Sequence, residues 1–196
     1  LSDVSGKGVN AGMVMAKAIT LFKIFAKQRF KPNEILLEMN NDLKETNPIG
    51  TFITSIVGRY NIKSDLVEIA NAGHQPALLK IGTDFKEFPS SSVPLAVTKH
   101  KDESVYKLES FNLDKGRIYC FTDGFSECMD ENKQEIGIDG VKELILKHEN
   151  SSLRKELENA TEEIRLKSLK KGTLEKGIKE NNDILDDDLT IIGVGK

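Results

Sequence analysis

The chain has 196 residues, 38% of them hydrophobic and 30% charged, with a formal net charge of −3. That length suits one ordinary domain with enough apolar material for a core, while the short apolar runs argue against a bilayer span or a signal peptide. The acidic balance argues against a nucleic-acid binder, and Cys120 and Cys128 form neither a disulfide framework nor a Cys-x-x-Cys motif, which suits a reducing cytoplasm.

Val14, Ala18, Leu21, Phe22 and Phe25 fall on one face of a helix that begins near Gly8 and Gly12. Pro32 opens a second helix, with Leu36, Met39 and Leu43 on its apolar face and Asn47-Pro48 as its stop. The β-branched and aromatic run from Thr51 to Tyr60 predicts a strand, Asn61 to Asp65 a turn, and Leu66 to Asn71 the returning strand of a hairpin. A second pair, Ala77 to Ile81 and Phe85 to Phe88, flanks Gly82. Alternation predicts a strand over Ser104 to Leu108, and Arg117 to Phe121 reads as a buried strand that ends at Thr122-Asp123-Gly124. Helices are expected over Val141 to Lys147 and Leu153 to Leu169, and a last strand over Leu189 to Val194. Between them, Lys170 to Asp183 is polar and reads as an exposed loop or weak helix, a solvated connection with no specific role; the sharper alternative is that its lysines, Lys170, Lys171, Lys176 and Lys179, steer an acidic phosphoprotein. Helices first, then hairpins, then helices and a closing strand make an α+β fold rather than an alternating βαβ one.

Three acidic motifs carry the chemistry: Asp3-Val-Ser-Gly-Lys-Gly8, Phe121-Thr-Asp-Gly124 and Asp186-Asp-Asp-Leu-Thr190. Each has a bland alternative. A glycine-rich turn before a helix can be packing or an anion site, an Asp-Gly after a strand is most often a turn, and an acidic run is usually a solvated loop. Together they offer carboxylates that could converge after folding, which is what a hard divalent cation such as magnesium or manganese binds. Asn71-Ala-Gly-His74-Gln-Pro76 is the distinctive histidine context. No second histidine or cysteine stands at ligand spacing, so His74 is expected in a tight turn with a hydrogen-bonded imidazole near the site. His100 and His148 read as surface residues, and neither cysteine has an activating neighbour in sequence.

These motifs, with Thr51-Phe-Ile-Thr54 and Pro94-Leu-Ala96 in the same order, resemble the bacterial PPM-type serine/threonine phosphatases across the whole chain. The branch is similar to stage II sporulation protein E and to the stress-response phosphatases that act on anti-sigma-factor antagonists. The resemblance implies two packed antiparallel β-sheets flanked by helices. It also implies two Mn2+ or Mg2+ ions, with Asp3 bridging them, the Val4 carbonyl beside it, and Asp123 and Asp187 as further metal carboxylates; Asp188 matches the polar residue after the last of these.

Three departures stand out. The family carries a Gly-Asp-x-x-Asp motif on strands before the first motif here, and this chain begins at Leu1. We therefore expect residues 1–196 to be an N-terminally incomplete phosphatase domain, with a sensor or regulatory domain upstream and weak metal binding by the chain alone. Animal-type relatives have a histidine where Ser5 stands, and a glycine is usual where Ala96 stands.

The expected activity is hydrolysis of phosphoserine or phosphothreonine on a regulatory protein of the anti-sigma-factor-antagonist type. Two metals about 3.5–4 Å apart would activate the attacking water. Expected partners are that phosphoprotein and, as an alternative assembly, a second copy of the chain, but no nucleic acid and no membrane. The rival reading is a catalytically degenerate phosphoprotein-binding scaffold. A two-metal nuclease is disfavoured because no basic track is visible.

Overall fold

The computed structural model describes residues 1–47, 50–130, 133–149, 152–176 and 189–195, and side chains of the last helix as far as residue 167. The chain forms two compact units, Leu1–Ala77 with Glu87–Asp114, and Leu78–Lys86 with Lys115–Lys196.

In the first unit, β1 (Ser2–Val4) leads into α1 (Val9–Lys27) and α2 (Pro32–Thr46), followed by β2 (Ile53–Asn61) and β3 (Leu66–Ala72). β6 (Glu109–Asn112) completes an antiparallel sheet in the order β1-β2-β3-β6. Strand alternation divides this sheet into two faces. One carries Val4, Ile53, Val57, Ala70 and Ala72, which form a core with Val14 and Ala18 of α1 and Ile35, Leu36, Met39 and Leu43 of α2. The other carries Asp3, Thr54, Ile56, Ile69 and Asn71, all in register across β1, β2 and β3.

Pro32 stands in the first turn of α2, where a missing N–H costs nothing, and Glu34 accepts the Lys31 N–H at 2.6 Å. By length and mean hydropathy alone (19 residues, 1.4), α1 is long and apolar enough to cross a membrane, contrary to the expectation from its short apolar runs. The same properties suit a helix with one face in a protein core, which is where Val14 and Ala18 lie. Phe22, expected on that face, is exposed.

In the second unit, β4 (Ala77–Ile81, from Leu78 on) and β5 (Asp84–Phe88, to Lys86) turn at Gly82, and β7 (Arg117–Phe121) and β8 (Ile191–Gly195) complete the order β5-β4-β7-β8. α4 (Gly137–Lys147) and α5 (Leu153–Lys176) pack on this sheet around Leu78, Tyr119, Phe121, Ile145, Ala160 and Ile164. A Cβ on Gly193 of β8 would meet Leu153 at 3.0 Å, so glycine lets α5 lie close to the strand. Two antiparallel sheets flanked by helices are the architecture expected.

Four local expectations are corrected. Ser104 to Leu108 is not a strand: Asp102 accepts the Ser104 N–H at 2.7 Å and starts a 3-10 turn over Glu103–Val105, and the strand forms four residues on. Asp123–Ser126 is a single helical turn, α3, rather than a simple turn, because Phe125 is fully buried and pulls the chain inward. α5 ends at Lys176 rather than Leu169, so the helical reading of the polar segment holds over Lys170 to Lys176, and the remainder of that segment, with Lys179, lies outside the described residues. His100 and His148 are only partly exposed. His100 sets its ring edge against Tyr106 at 5.7 Å, and His148 pairs with Glu163 at 2.7 Å.

Candidate active site

The first motif is built on an edge. Leu1 and Ile56 exchange backbone hydrogen bonds (2.8 and 3.0 Å), and the Ser5 N–H donates to the Phe52 carbonyl at 3.0 Å. Alternation makes Asp3 and Thr54 the hydrogen-bonded pair between these two, with their side chains on one face. Val4, out of phase, turns its carbonyl away from β2, and β1 is the outer strand of its sheet among the described strands. A carboxylate and an outward carbonyl on adjacent residues fit the oxygen donors that magnesium or manganese takes. Gly6 and Gly8, at φ 93° and 83°, then turn the chain sharply into α1. Ser5 is engaged structurally: its hydroxyl accepts the Phe52 N–H at 2.9 Å.

Beside Thr54 stands His74, whose Nδ1 lies 2.8 Å from Thr54 Oγ1. The Asn71 side chain builds the turn that delivers this imidazole. Its Oδ1 accepts the His74 N–H at 2.9 Å, and its Nδ2 donates to the carbonyls of His74 (3.2 Å) and Gln75 (3.1 Å). The tight turn and hydrogen-bonded imidazole expected of this motif are both present. Sequence reading named Thr54 only as part of a motif. The signal that could have singled it out is the hairpin register, which places it opposite Asp3.

In the second unit, Asp123 begins α3 at the end of β7 and is partly buried. Its Oδ1 accepts the Gly124 N–H at 3.1 Å, and its carbonyl accepts from Ser126 Oγ and the Glu127 N–H. The preceding residue, Thr122, is tied to the third motif. Its N–H donates to the Thr190 carbonyl at 3.0 Å, and its Oγ1 accepts the Thr190 N–H, also at 3.0 Å. The second motif and the described end of the third are thus side by side. Asp186, Asp187 and Asp188 lie outside the described residues, and Asp3 and Asp123 belong to different units. Among the described residues no group of three or more His, Cys, Asp or Glu is gathered for a metal. Burial pushes the Cys120 thiol up to about 11, in keeping with an unreactive cysteine.

The family model described as stage II sporulation protein E matches residues 1–195. Phosphoserine phosphatase RsbU of Bacillus subtilis (strain 168) is 27% identical over 135 residues, 67% of this chain and 39% of its own length. The chain therefore spans well under half of that curated relative. Among solved structures, the SiaA-PP2C domain of Pseudomonas aeruginosa superposes with a TM-score of 0.76 at 17% identity, over 100% of this chain and 73% of its own. The PP2C phosphatase domain of SpoIIE from Bacillus subtilis, solved with a fragment of its regulatory domain, gives 0.74 at 16% identity, over 99% and 52%.

Proposed function

Since the chain belongs to the stage II sporulation protein E family, whose relatives are PP2C-type serine phosphatases, we propose that it is a metal-dependent phosphatase that hydrolyses phosphoserine or phosphothreonine on a regulatory protein. The observation that carries this reading is the double hydrogen bond between Thr122 and Thr190, which joins the Asp123 motif to the Asp-Asp-Asp-Leu-Thr motif. RsbX, a solved structure with a TM-score of 0.59 at 15% identity, is in complex with magnesium.

In this reading Asp3, Asp123 and Asp187 hold two Mn2+ or Mg2+ ions, with the Val4 carbonyl beside Asp3. Such ions neutralise phosphate charge and lower the pKa of a bound water. The chain's own part is to present these oxygens on short, well-anchored backbone. β1 fixes Asp3 opposite Thr54, and the buried Phe125 fixes the turn that carries Asp123. No side-chain nucleophile is needed, in keeping with the raised thiol of Cys120. The substrate is a phosphorylated protein of the anti-sigma-factor-antagonist type, met in the cytoplasm.

The test is hydrolysis of a phosphoserine protein and of an aryl phosphate by the complete protein with manganese, and by its Asp123→Asn variant. The expected result is manganese-dependent phosphate release that falls by orders of magnitude in the variant, with the thermal unfolding midpoint nearly unchanged. Equal activity in wild type and variant would remove Asp123 from the site.

A further inference from the structure

The turn that carries His74 is held from several sides, more than a buried histidine needs in order to pack. Asn71 clamps it by three hydrogen bonds. Gly73, at φ 69°, donates its N–H to Ser90 Oγ at 2.6 Å, and Pro94 lies where its Cβ would be, at 2.5 Å. His74 is 7% exposed, and the described contact of its Nδ1 is the Thr54 hydroxyl. Thr54 in turn stands directly opposite Asp3 in the hydrogen-bonded register, on the same face. Directly paired side chains have Cβ atoms about 4.5–5.5 Å apart, within reach of a hydroxyl-to-carboxylate contact.

We propose that His74 is a positioning residue for the Asp3 carboxylate, acting through Thr54. With Nδ1 protonated, His74 donates to Thr54 Oγ1, and the single hydroxyl proton of Thr54 is then directed elsewhere, toward its cross-strand neighbour Asp3. One carboxylate oxygen is thereby oriented and the other is left to a divalent cation. This is the arrangement by which outer groups set the geometry of a metal ligand. The inference rests on the metal-holding role given to Asp3 above.

The experiment measures Mn2+ affinity of the complete protein by titration calorimetry, together with the metal-free thermal midpoint, for wild type, Asp3→Asn, Thr54→Val, Thr54→Ser, His74→Ala, His74→Asn and the double variant Thr54→Val/His74→Ala. Thr54→Val and His74→Ala are each expected to weaken Mn2+ binding by about 10-fold or more, the usual effect of removing such a partner. The double variant is expected to be no worse than either single, because both break one relay. Thr54→Ser and His74→Asn, which keep a hydroxyl and a donor near Nδ1, are expected to restore most of the affinity. A merely structural role would lower the midpoint and leave affinity unchanged in the folded protein. Thr54→Val is close to isosteric and decides the matter if His74→Ala does not fold. If Asp3→Asn abolishes binding while Thr54→Val and His74→Ala both stay within twofold of wild type, or the double variant is additive, the relay is overturned. If wild type and Asp3→Asn bind Mn2+ equally, the metal-site reading itself fails and this inference falls with it.

Discussion

The backbone N–H of Ala96 donates to Oδ1 of the fully buried Asn40 at 2.9 Å, and Ala96 makes that contact from a left-handed conformation, φ 68°. The Asn40 Nδ2 is used as well, donating to the Thr98 carbonyl at 2.9 Å. The link between α2 and the loop before β6 thus asks Ala96 for a backbone shape that costs a residue with a Cβ about 1–2 kcal/mol. Glycine adopts it freely but loses more chain entropy on folding. Ala96→Gly is expected to stabilise the protein by about 0.5–1 kcal/mol. Asn40→Ala, which strands a buried N–H and a carbonyl, should cost about 2–3 kcal/mol. Urea unfolding of the two variants checks both signs, and a destabilised Ala96→Gly would contradict the strain argument.

Gly73 shows the opposite case. Its φ of 69° and the 2.5 Å approach of Pro94 leave no room for a Cβ. Gly73→Ala therefore meets backbone strain and a clash with a rigid ring, and a loss of about 2–4 kcal/mol is expected. Chemical denaturation gives the value, and a cost below about 0.5 kcal/mol would mean that Pro94 yields easily.

Glu163 on α5 predicts an acid-sensitive contact. Burial tends to raise its pKa, but hydrogen bonds from Lys147 and His148 (2.7 Å each) and Lys167 (3.1 Å) outweigh this and hold the carboxyl down at about 2. A folded pKa below the unfolded value of 4.5 means that the unfolded chain binds the proton first. The stabilisation is therefore complete above about pH 4.5 and is lost as pH falls toward 2. Solvent screening limits it to about 1 kcal/mol. Glu163→Gln should flatten that part of the stability–pH curve while changing little of its slope elsewhere. A wild-type slope retained in the variant would exclude Glu163 as its source.

Glu156 is 1% exposed and anchors α5 to β7, taking a hydrogen bond from the Tyr119 hydroxyl and an ion pair from Arg117. Burial, reinforced by the carboxylate, pushes the Tyr119 hydroxyl well above its usual pKa, so it stays a donor throughout the accessible range. Arg117→Met removes the cation and leaves the buried carboxylate without its ion pair, at an expected cost of about 3–5 kcal/mol. Tyr119→Phe should cost less, about 1–2 kcal/mol, since it removes one hydrogen bond. The ranking of the two unfolding midpoints is the readout, and a larger loss in Tyr119→Phe would reverse the assignment.

Much of this protein was legible in its chain. Pro32, the Leu36-Met39-Leu43 stripe, the Asn61 to Asp65 turn and the run from Arg117 to Phe121 announced their elements because periodicity and turn chemistry act over a few residues. The motif order pointed to the family, and the glycines at 6 and 8 marked a turn that only glycine makes easily. Short-range signals failed where a distant partner decided the outcome. Ser104 to Leu108 alternates like a strand, yet Asp102 caps a turn there while β3 takes residues 109–112 instead. α3 exists because Phe125 is buried, and His100 is covered because Tyr106 meets it. Asp3, Thr54 and His74 are far apart in sequence. Their alignment needs the register of β1 on β2 and the clamp of Asn71, neither of which is a property of the local residues. Sequence alone determined which residues could carry the chemistry. Pairing between distant strands decided which of them meet, because register is set by burial of a whole sheet face rather than by any one residue on it.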